Sequence, residues 1–318
     1  MMLSMLFKTQ RLYSFAARFL LAAFVALGLN AEARDVQLET NAKAHPLLWE
    51  VKGAKNSVFL FGSIHVARPD FYPLPDYVEN AYRQADTLVV EIDPDAADVA
   101  SRMLPFLTYK AADSLQQHLT PATWQQLSAK LGPSVEQMKA LKPAMLSVVM
   151  AMGLYSELGY KAEAGIDLHF IARAKSDRKK VVELESVEFQ AAVLGGLNDT
   201  DAEAMLKDVL DGFDNGEGVE YINDLVRAWR NGDADGLVEQ LAKEANKDPG
   251  SARVMKLLID DRNPLMANKI ARLFADGKNV FVVIGAGHLV GRDSVVELLQ
   301  KQGLVVKQVK EQAKKQVK

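Results

Sequence analysis

"VFVVIGAGHLVG", residues 280–291, decides how this chain folds. Five consecutive apolar residues without alternation describe a strand buried on both faces. The run stops at Gly285-Ala286-Gly287 and then presents His288. The same order recurs far upstream in "VFLFGSIHV", residues 58–66, where the apolar run ends at Gly62 and presents His65. Each run leads through a loop into a helix and then another apolar run. The first passes through "DYVENAYRQA" to "TLVVEIDP" (87–94), the second through "RDSVVELLQKQG" to "LVVKQV" (304–309). Two such β-loop-α-β units, one near each end, predict an α/β fold whose central sheet pairs early strands with late ones. They also suggest two related halves.

A large helical insertion, approximately residues 95–277, separates the units. Thr120 and Pro121 open a helix that ends at Gly132. "KPAMLSVVMAMGLYSELG" (142–159) is a Met-rich apolar helix, too short and too closely bounded by Pro and Gly for a membrane span, so it reads as core. Residues 165–179 form another helix, 181–184 a short strand, and 187–277 are again mostly helical. Ahead of the first unit, strands at 48–51 and 58–62 are joined by a Gly-Ala-Lys-Asn turn. "KEQAKKQVK" at the end reads as a solvated basic tail.

The first 33 residues read as a signal peptide. Lys8, Arg11 and Arg18 precede the apolar run 19–29, and Ala31-Glu32-Ala33 supplies the small-x-small cleavage pattern. The mature chain, residues 34–318, then works in the periplasm or beyond the cell; an uncleaved N-terminal anchor is the alternative. After cleavage no stable membrane span is expected. The absence of cysteine excludes thiol catalysis, iron–sulfur ligation and disulfides. A net charge of -3, with no dense basic stripe, leaves no case for nucleic acid as a partner. Nothing in the sequence specifies an oligomeric state.

The two Gly-x-x-His turns carry the chemistry. In open α/β sheets ligands gather at the carboxyl ends of strands, where turns are exposed but rigidly held. Glycine lets the backbone reverse and lets another group approach closely, and neutral imidazole is a good ligand for divalent metals. Two further strands end in acids: "TLVVE" in Glu91 and "VVELE" in Glu185. Two imidazoles and two carboxylates could hold one ion with positions left for water. The bland alternative makes His65 and His288 strand caps bonded to backbone carbonyls. His45, His118 and His169 read as surface or core residues.

Other site chemistries lack their signatures. Gly285, Gly287 and Gly291 resemble a phosphate-cradling turn, but the next strand ends in lysine rather than an acid for a ribose. A G-x-S-x-G elbow is missing, so Ser63 beside Gly62 is no hydrolase nucleophile. The H-E-x-x-H helix of zincins is missing too.

At "FGSIHVARPDFYPLP", "ADTLVVEIDP", "GIDLHFIARA", "VVELESVEFQ", "LLIDDRNPLMANKI" and "VFVVIGAGHLVG" the sequence resembles the TraB/GumN family, in particular its secreted proteobacterial branch. That family is related to the Tiki metal-dependent proteases and more remotely to erythromycin esterase-like and ChaN-like proteins. The resemblance implies an α/β fold with both Gly-x-x-His motifs at one site, and functional residues at His65, Glu91, Glu185, Arg262 and His288. Asp167, in "GID", falls in another matching segment and is expected, with Arg262, to bind substrate. Glu185 is preferred over Glu183 because it begins the E-x-x-E-x-Q pattern with Glu188 and Gln190.

The function expected is that of a metal-dependent hydrolase, acting on peptides. His65 and His288 would bind zinc, manganese, cobalt or iron, with Glu91 or Glu185 completing the shell and the other glutamate taking a proton from water. Arg262 would stabilise an oxyanion or grip a substrate carboxylate, unless it makes only a helix-surface salt bridge. The helical insertion, including Trp229, would wall the cleft. A non-catalytic protein that binds a peptide or glycan, and a metal-free esterase acting on a small molecule, are the alternatives.

Overall fold

The computed structural model describes residues 44–309. The stretches expected to be a signal peptide and a solvated basic tail lie outside the described residues. The expected hairpin is present as β1 (Leu48–Lys52) and β2 (Ser57–Ser63), paired antiparallel. Its turn closes with Gly53 N–H donating to the Asn56 carbonyl at 2.8 Å.

Six strands form one mixed sheet. With β3 at Thr87–Val90, β4 at Lys180–Glu183, β5 at Val280–Gly285 and β6 at Val306–Gln308, the order is β4-β3-β5-β2-β1-β6. Strand β5 pairs in parallel with both β2 and β3. The early and late strands therefore meet as expected, and the last long apolar run sits between the first two. These three strands are almost wholly buried, which explains why they read as unbroken apolar runs rather than alternating ones.

The two β-loop-α-β units interleave rather than stand side by side. In the first, α1 (Asp76–Gln84) links β2 to β3 across β5. In the second, the helix linking β5 to β6 starts at Val295 rather than at Arg292, because Ser294 accepts a hydrogen bond from the Glu297 N–H and caps it. Strand β6 lies beyond β1 at the far edge of the sheet.

The intervening chain is helical: α2 (Val99–Leu107), α3 (Pro121–Leu131), α4 (Pro143–Glu157), α5 (Ile166–Ser176), α6 (Val187–Gly195), α7 (Asp199–Asn215), α8 (Glu217–Asn231), α9 (Ala234–Ala245), α10 (Pro249–Met255) and α11 (Asn263–Ala275), followed by α12 (Val295–Lys301) of the second unit. It returns once to the sheet as β4, on the edge beside β3. Thr120 caps α3 through its hydroxyl, as its position before Pro121 requires. The Met-rich α4 is core, with Met145, Leu146, Met150 and Leu154 all buried. Among the described residues no helix is long and apolar enough to cross a membrane.

Trp229 is not a cleft wall. It is fully buried, stacked on Phe71, and donates from Nε1 to the Gly62 carbonyl at 2.8 Å. A large ring with one polar atom is stable inside only where that atom finds a partner; here the partner is the backbone of the first Gly-x-x-His turn.

Candidate active site

Strands β2, β3, β4 and β5 run in the same direction, so their carboxyl ends share one edge of the sheet. Gly62 is in register with Ile284, and Ser63 with Gly285. The two Gly-x-x-His turns thus leave adjacent strands one after the other. Their glycines are there for close approach. A Cβ on Gly62 would stand 3.1 Å from the Cα of Ala286 in the other turn, and one on Gly285 would stand 3.3 Å from Oε1 of Glu91.

His288 is buried and bonded through Nδ1 to Oδ1 of Asn263 at 2.7 Å. The Asn263 Nδ2 donates to the Asp293 carbonyl, so its Oδ1 must be the acceptor for the ring. This network assigns the proton to Nδ1 and leaves a lone pair on Nε2. Burial pushes His288 down to about 4, against the pull of Glu91, so the ring is neutral at neutral pH.

Glu91 follows β3 directly and is buried. Its Oε1 accepts the Gly285 N–H at 2.8 Å, and its Oε2 accepts from Arg262 Nη2 at 2.6 Å and Gln190 Nε2 at 3.0 Å. Burial opposes its charge, but His65, Arg262 and the Gly285 N–H outweigh it and hold the carboxyl below its ordinary value.

Glu185 lies beside it because the ladder continues past β4: Glu185 N–H donates to the Glu91 carbonyl at 2.9 Å. Arg262 reaches Glu185 through Nε at 3.0 Å and Nη2 at 2.6 Å, while Gln190 Nε2 adds a bond of 2.8 Å. Arg262 Nη1 is spent on the Leu258 carbonyl. Most of the guanidinium is thereby committed to holding two carboxylates, in the interior rather than on a helix surface. Glu183, by contrast, is exposed and caps the Asp93 N–H.

His65 stands at the open side of this cluster. Its side chain is 70% exposed and its Nδ1 lies 3.0 Å from Oδ2 of Asp167. The Asp167 charge raises the imidazole well above its ordinary value. Asp167 is itself fixed by Ser63, whose hydroxyl donates to Oδ1 at 2.7 Å. The first turn of α5 can press this closely on the loop because residue 165 is glycine: a Cβ there would stand 2.3 Å from the His65 carbonyl oxygen.

Thus Glu91, Glu185, Arg262 and His288 form one buried cluster, with the His65–Asp167 pair beside it. Both histidines are held by side chains, not by the backbone carbonyls of the strand-cap alternative. His118 sits between Asp113 and Asp199, and His169 stacks on Tyr72, so neither is engaged with Glu91, Glu185, Arg262 or His288. Sequence reasoning missed Asn263 and the role of Ser63. Asn263 follows Arg262 directly in "DDRNP", but nothing local distinguishes it from an ordinary residue opening a helix.

Among the described residues no group of three or more His, Asp or Glu side chains is arranged to hold a metal ion. Two donors do suit one. His288 Nε2 and Glu91 Oε1 are 3.8 Å apart, too far for a hydrogen bond and within the span of two ligands each ~2.1 Å from a common ion.

The sequence model of the TraB/PrgY/gumN family matches residues 47–308, the stretch that carries every residue of this cluster. The uncharacterized protein YbaP of Escherichia coli is 29% identical over 249 residues, covering 76% of this chain and 87% of its own. Metalloprotease TIKI1 of Xenopus tropicalis is 23% identical over 343 residues (89% of this chain, 66% of its own), and human metalloprotease TIKI1 is 22% identical over 332 residues (87% and 64%). No solved structure matches the chain.

Proposed function

Since this chain belongs to the TraB/PrgY/gumN family, we propose that it is a metal-dependent hydrolase that cleaves peptides outside the cytoplasm. The observation that carries this reading is the neutral, buried His288, whose Nε2 lone pair faces an ionised Glu91 across 3.8 Å. Two distant relatives are named metalloproteases, which supports the same class.

His288 Nε2 and Glu91 Oε1 would hold a divalent ion, with His65, giving up its proton, as the third donor. Bound there, the ion would polarise the scissile carbonyl and acidify water; zinc, manganese, cobalt and iron all suit imidazole and carboxylate donors. Arg262 and Gln190 keep both glutamates in place. Glu185 Oε1 accepts a hydrogen bond from Arg262 Nε alone, so it retains a lone pair that takes the proton from the attacking water. It then returns that proton to the leaving nitrogen. Asp167 and Asn263 fix the orientation of the two rings.

A second reading has its own observation. The His65–Asp167 pair, exposed and close-set, is a competent acid–base couple for metal-free ester hydrolysis. Metal analysis of the mature protein, with peptide and ester hydrolysis assayed before and after chelation, separates the two. Stoichiometric metal and chelator-sensitive peptidase activity are expected. A metal-free protein that stays inactive on peptides with each of the four ions would defeat the proposal.

A further inference from the structure

A second concavity, away from the histidines, lies among α4, α7, α8, α9 and α10. Its volume is about 570 Å³, within the range of pockets that take small molecules or peptide side chains. Leu154, Met205, Ile222, Val254, Met255 and Leu258 supply apolar walls. A space of this size and character between helices is either a packing fault or a place for a ligand, and its polar groups decide which.

Gln240 is the telling one. It is only 7% exposed and lines the cavity, yet its amide makes no hydrogen bond to any described residue. Its amide opens on the cavity rather than being sealed from solvent, so it is available to bond to whatever enters. A carboxamide offers one acceptor and two donors, which complements a peptide bond. The hydroxyls of Tyr155 and Tyr221, also in the lining, likewise have no partner among the described residues.

Charge selects the occupant further. The lining carries six carboxylates and two lysines. Four of the acids already have cations: Asp208 and Glu244 on Lys247, Asp211 on Lys207, Asp224 on Arg227. Glu217 and Glu220 are exposed and have no cationic partner among the described residues. The mouth is therefore short of positive charge.

The cavity also shares a wall with the active-site cluster. On α9, Gln240 lines the cavity while its neighbour Leu241 would meet a Cβ on Gly287 at 3.4 Å. On the π-helical turn Lys256–Asp260, Leu258 lines the cavity while Ile259 would meet that same Cβ at 3.5 Å. Residues adjacent in sequence thus serve the cavity and the second Gly-x-x-His turn, and the Leu258 carbonyl is the one that anchors Arg262.

We propose that this cavity is a docking site for an apolar peptide segment flanked by basic residues, part of the peptide substrate engaged away from the scissile bond. The substrate role rests on the peptidase reading above; the binding itself does not.

The experiment uses the whole mature protein without added metal and reads binding by fluorescence anisotropy, so turnover plays no part. The probes are a fluorescein-labelled hexapeptide of four leucines between two lysines, its counterpart with glutamates for lysines, and laurate as a competitor. The basic peptide is expected to bind about tenfold tighter than the acidic one, with a preference that fades as salt is raised. Glu217→Lys/Glu220→Lys, at exposed positions, should remove most of that preference, and Gln240→Leu should weaken the basic peptide about fivefold. Circular dichroism and thermal melting establish that each variant is folded. His288→Ala should bind the peptide as the parent does; binding kept while the parent supplied with zinc, manganese, cobalt or iron hydrolyses no peptide would refute the peptidase reading and leave the site standing. Equal binding of both peptides, insensitivity to all three substitutions, or displacement by laurate at lower concentration than by unlabelled peptide would overturn the proposal.

Discussion

Asn263 Oδ1 lies 2.7 Å from His288 Nδ1, and because the other end of that amide is engaged with the Asp293 carbonyl, the contact can run in only one direction. Replacing Asn263 by alanine frees the ring to change tautomer and to turn. Loss of such an orienting partner lowers metal affinity or activity by roughly 10–100-fold. Asn263→Ala should show this in calorimetric metal titration, with a melting temperature much closer to the parent's than that of an Arg262 variant. Unchanged metal affinity would remove Asn263 from the site.

Arg262 is the counter-ion of two buried carboxylates. Arg262→Met strands both, and leaving a buried charge without its partner costs about 3–5 kcal/mol. Urea unfolding should read that loss. The triple variant Arg262→Met/Glu91→Gln/Glu185→Gln, which removes the charges together, should recover a large part of it. If the single variant is as stable as the parent, the carboxylates are not held in the way described.

Gly165 and Gly153 make an internal comparison. A Cβ at 165 meets the His65 carbonyl oxygen at 2.3 Å, whereas one at 153, within α4, meets nothing within 4 Å. Gly165→Ala must push the start of α5 away from the His65 loop, at a cost of about 1–3 kcal/mol. Gly153→Ala should be neutral or stabilising by up to ~1 kcal/mol, since alanine is the better helix former. Chemical denaturation of both proteins checks the ordering.

His118 offers a test near neutral pH. Its Nδ1 is 3.0 Å from Asp199 and its Nε2 2.9 Å from Asp113, while its ring stacks on Tyr109. Burial works against the charge, but the bonds to Asp199 and Asp113 outweigh it and raise the imidazole above its ordinary 6.5. A value raised by folding means the folded state binds the proton more tightly. The stabilisation is therefore complete below 6.5 and is lost as pH rises through the raised folded value. Stability measured from pH 6 to 9 should fall for the parent and fall less for His118→Gln; parallel curves would contradict this.

The strands and their partners were legible because burial on both faces leaves an unmistakable apolar run, and because a glycine and a histidine ended two of them alike. The choice of Glu185 over Glu183 came from a pattern, and the structure supplies the physical reason for their difference: one turns in to Arg262, the other out to the Asp93 N–H. What stayed hidden were contacts between residues distant in sequence. Trp229 falls in the insertion expected to wall the cleft, yet its position is set by the Gly62 carbonyl, 167 residues away. Asn263 and Ser63 are short polar side chains of a kind found in any loop, and only the packing of α5 and α11 against the strand ends gives them a task.

The placement of β5 between β2 and β3 has a bearing on how the molecule is made. A chain emerging from the ribosome completes two strands of the central sheet early and must wait for some two hundred more residues before the one that bridges them arrives. Until then both carry unpaired, strongly apolar edges, the kind of surface that recruits other chains. Nascent chains truncated before Val280 should aggregate rather than accumulate as a folded fragment, and holding the polypeptide unfolded until its synthesis is complete becomes a requirement of the topology itself.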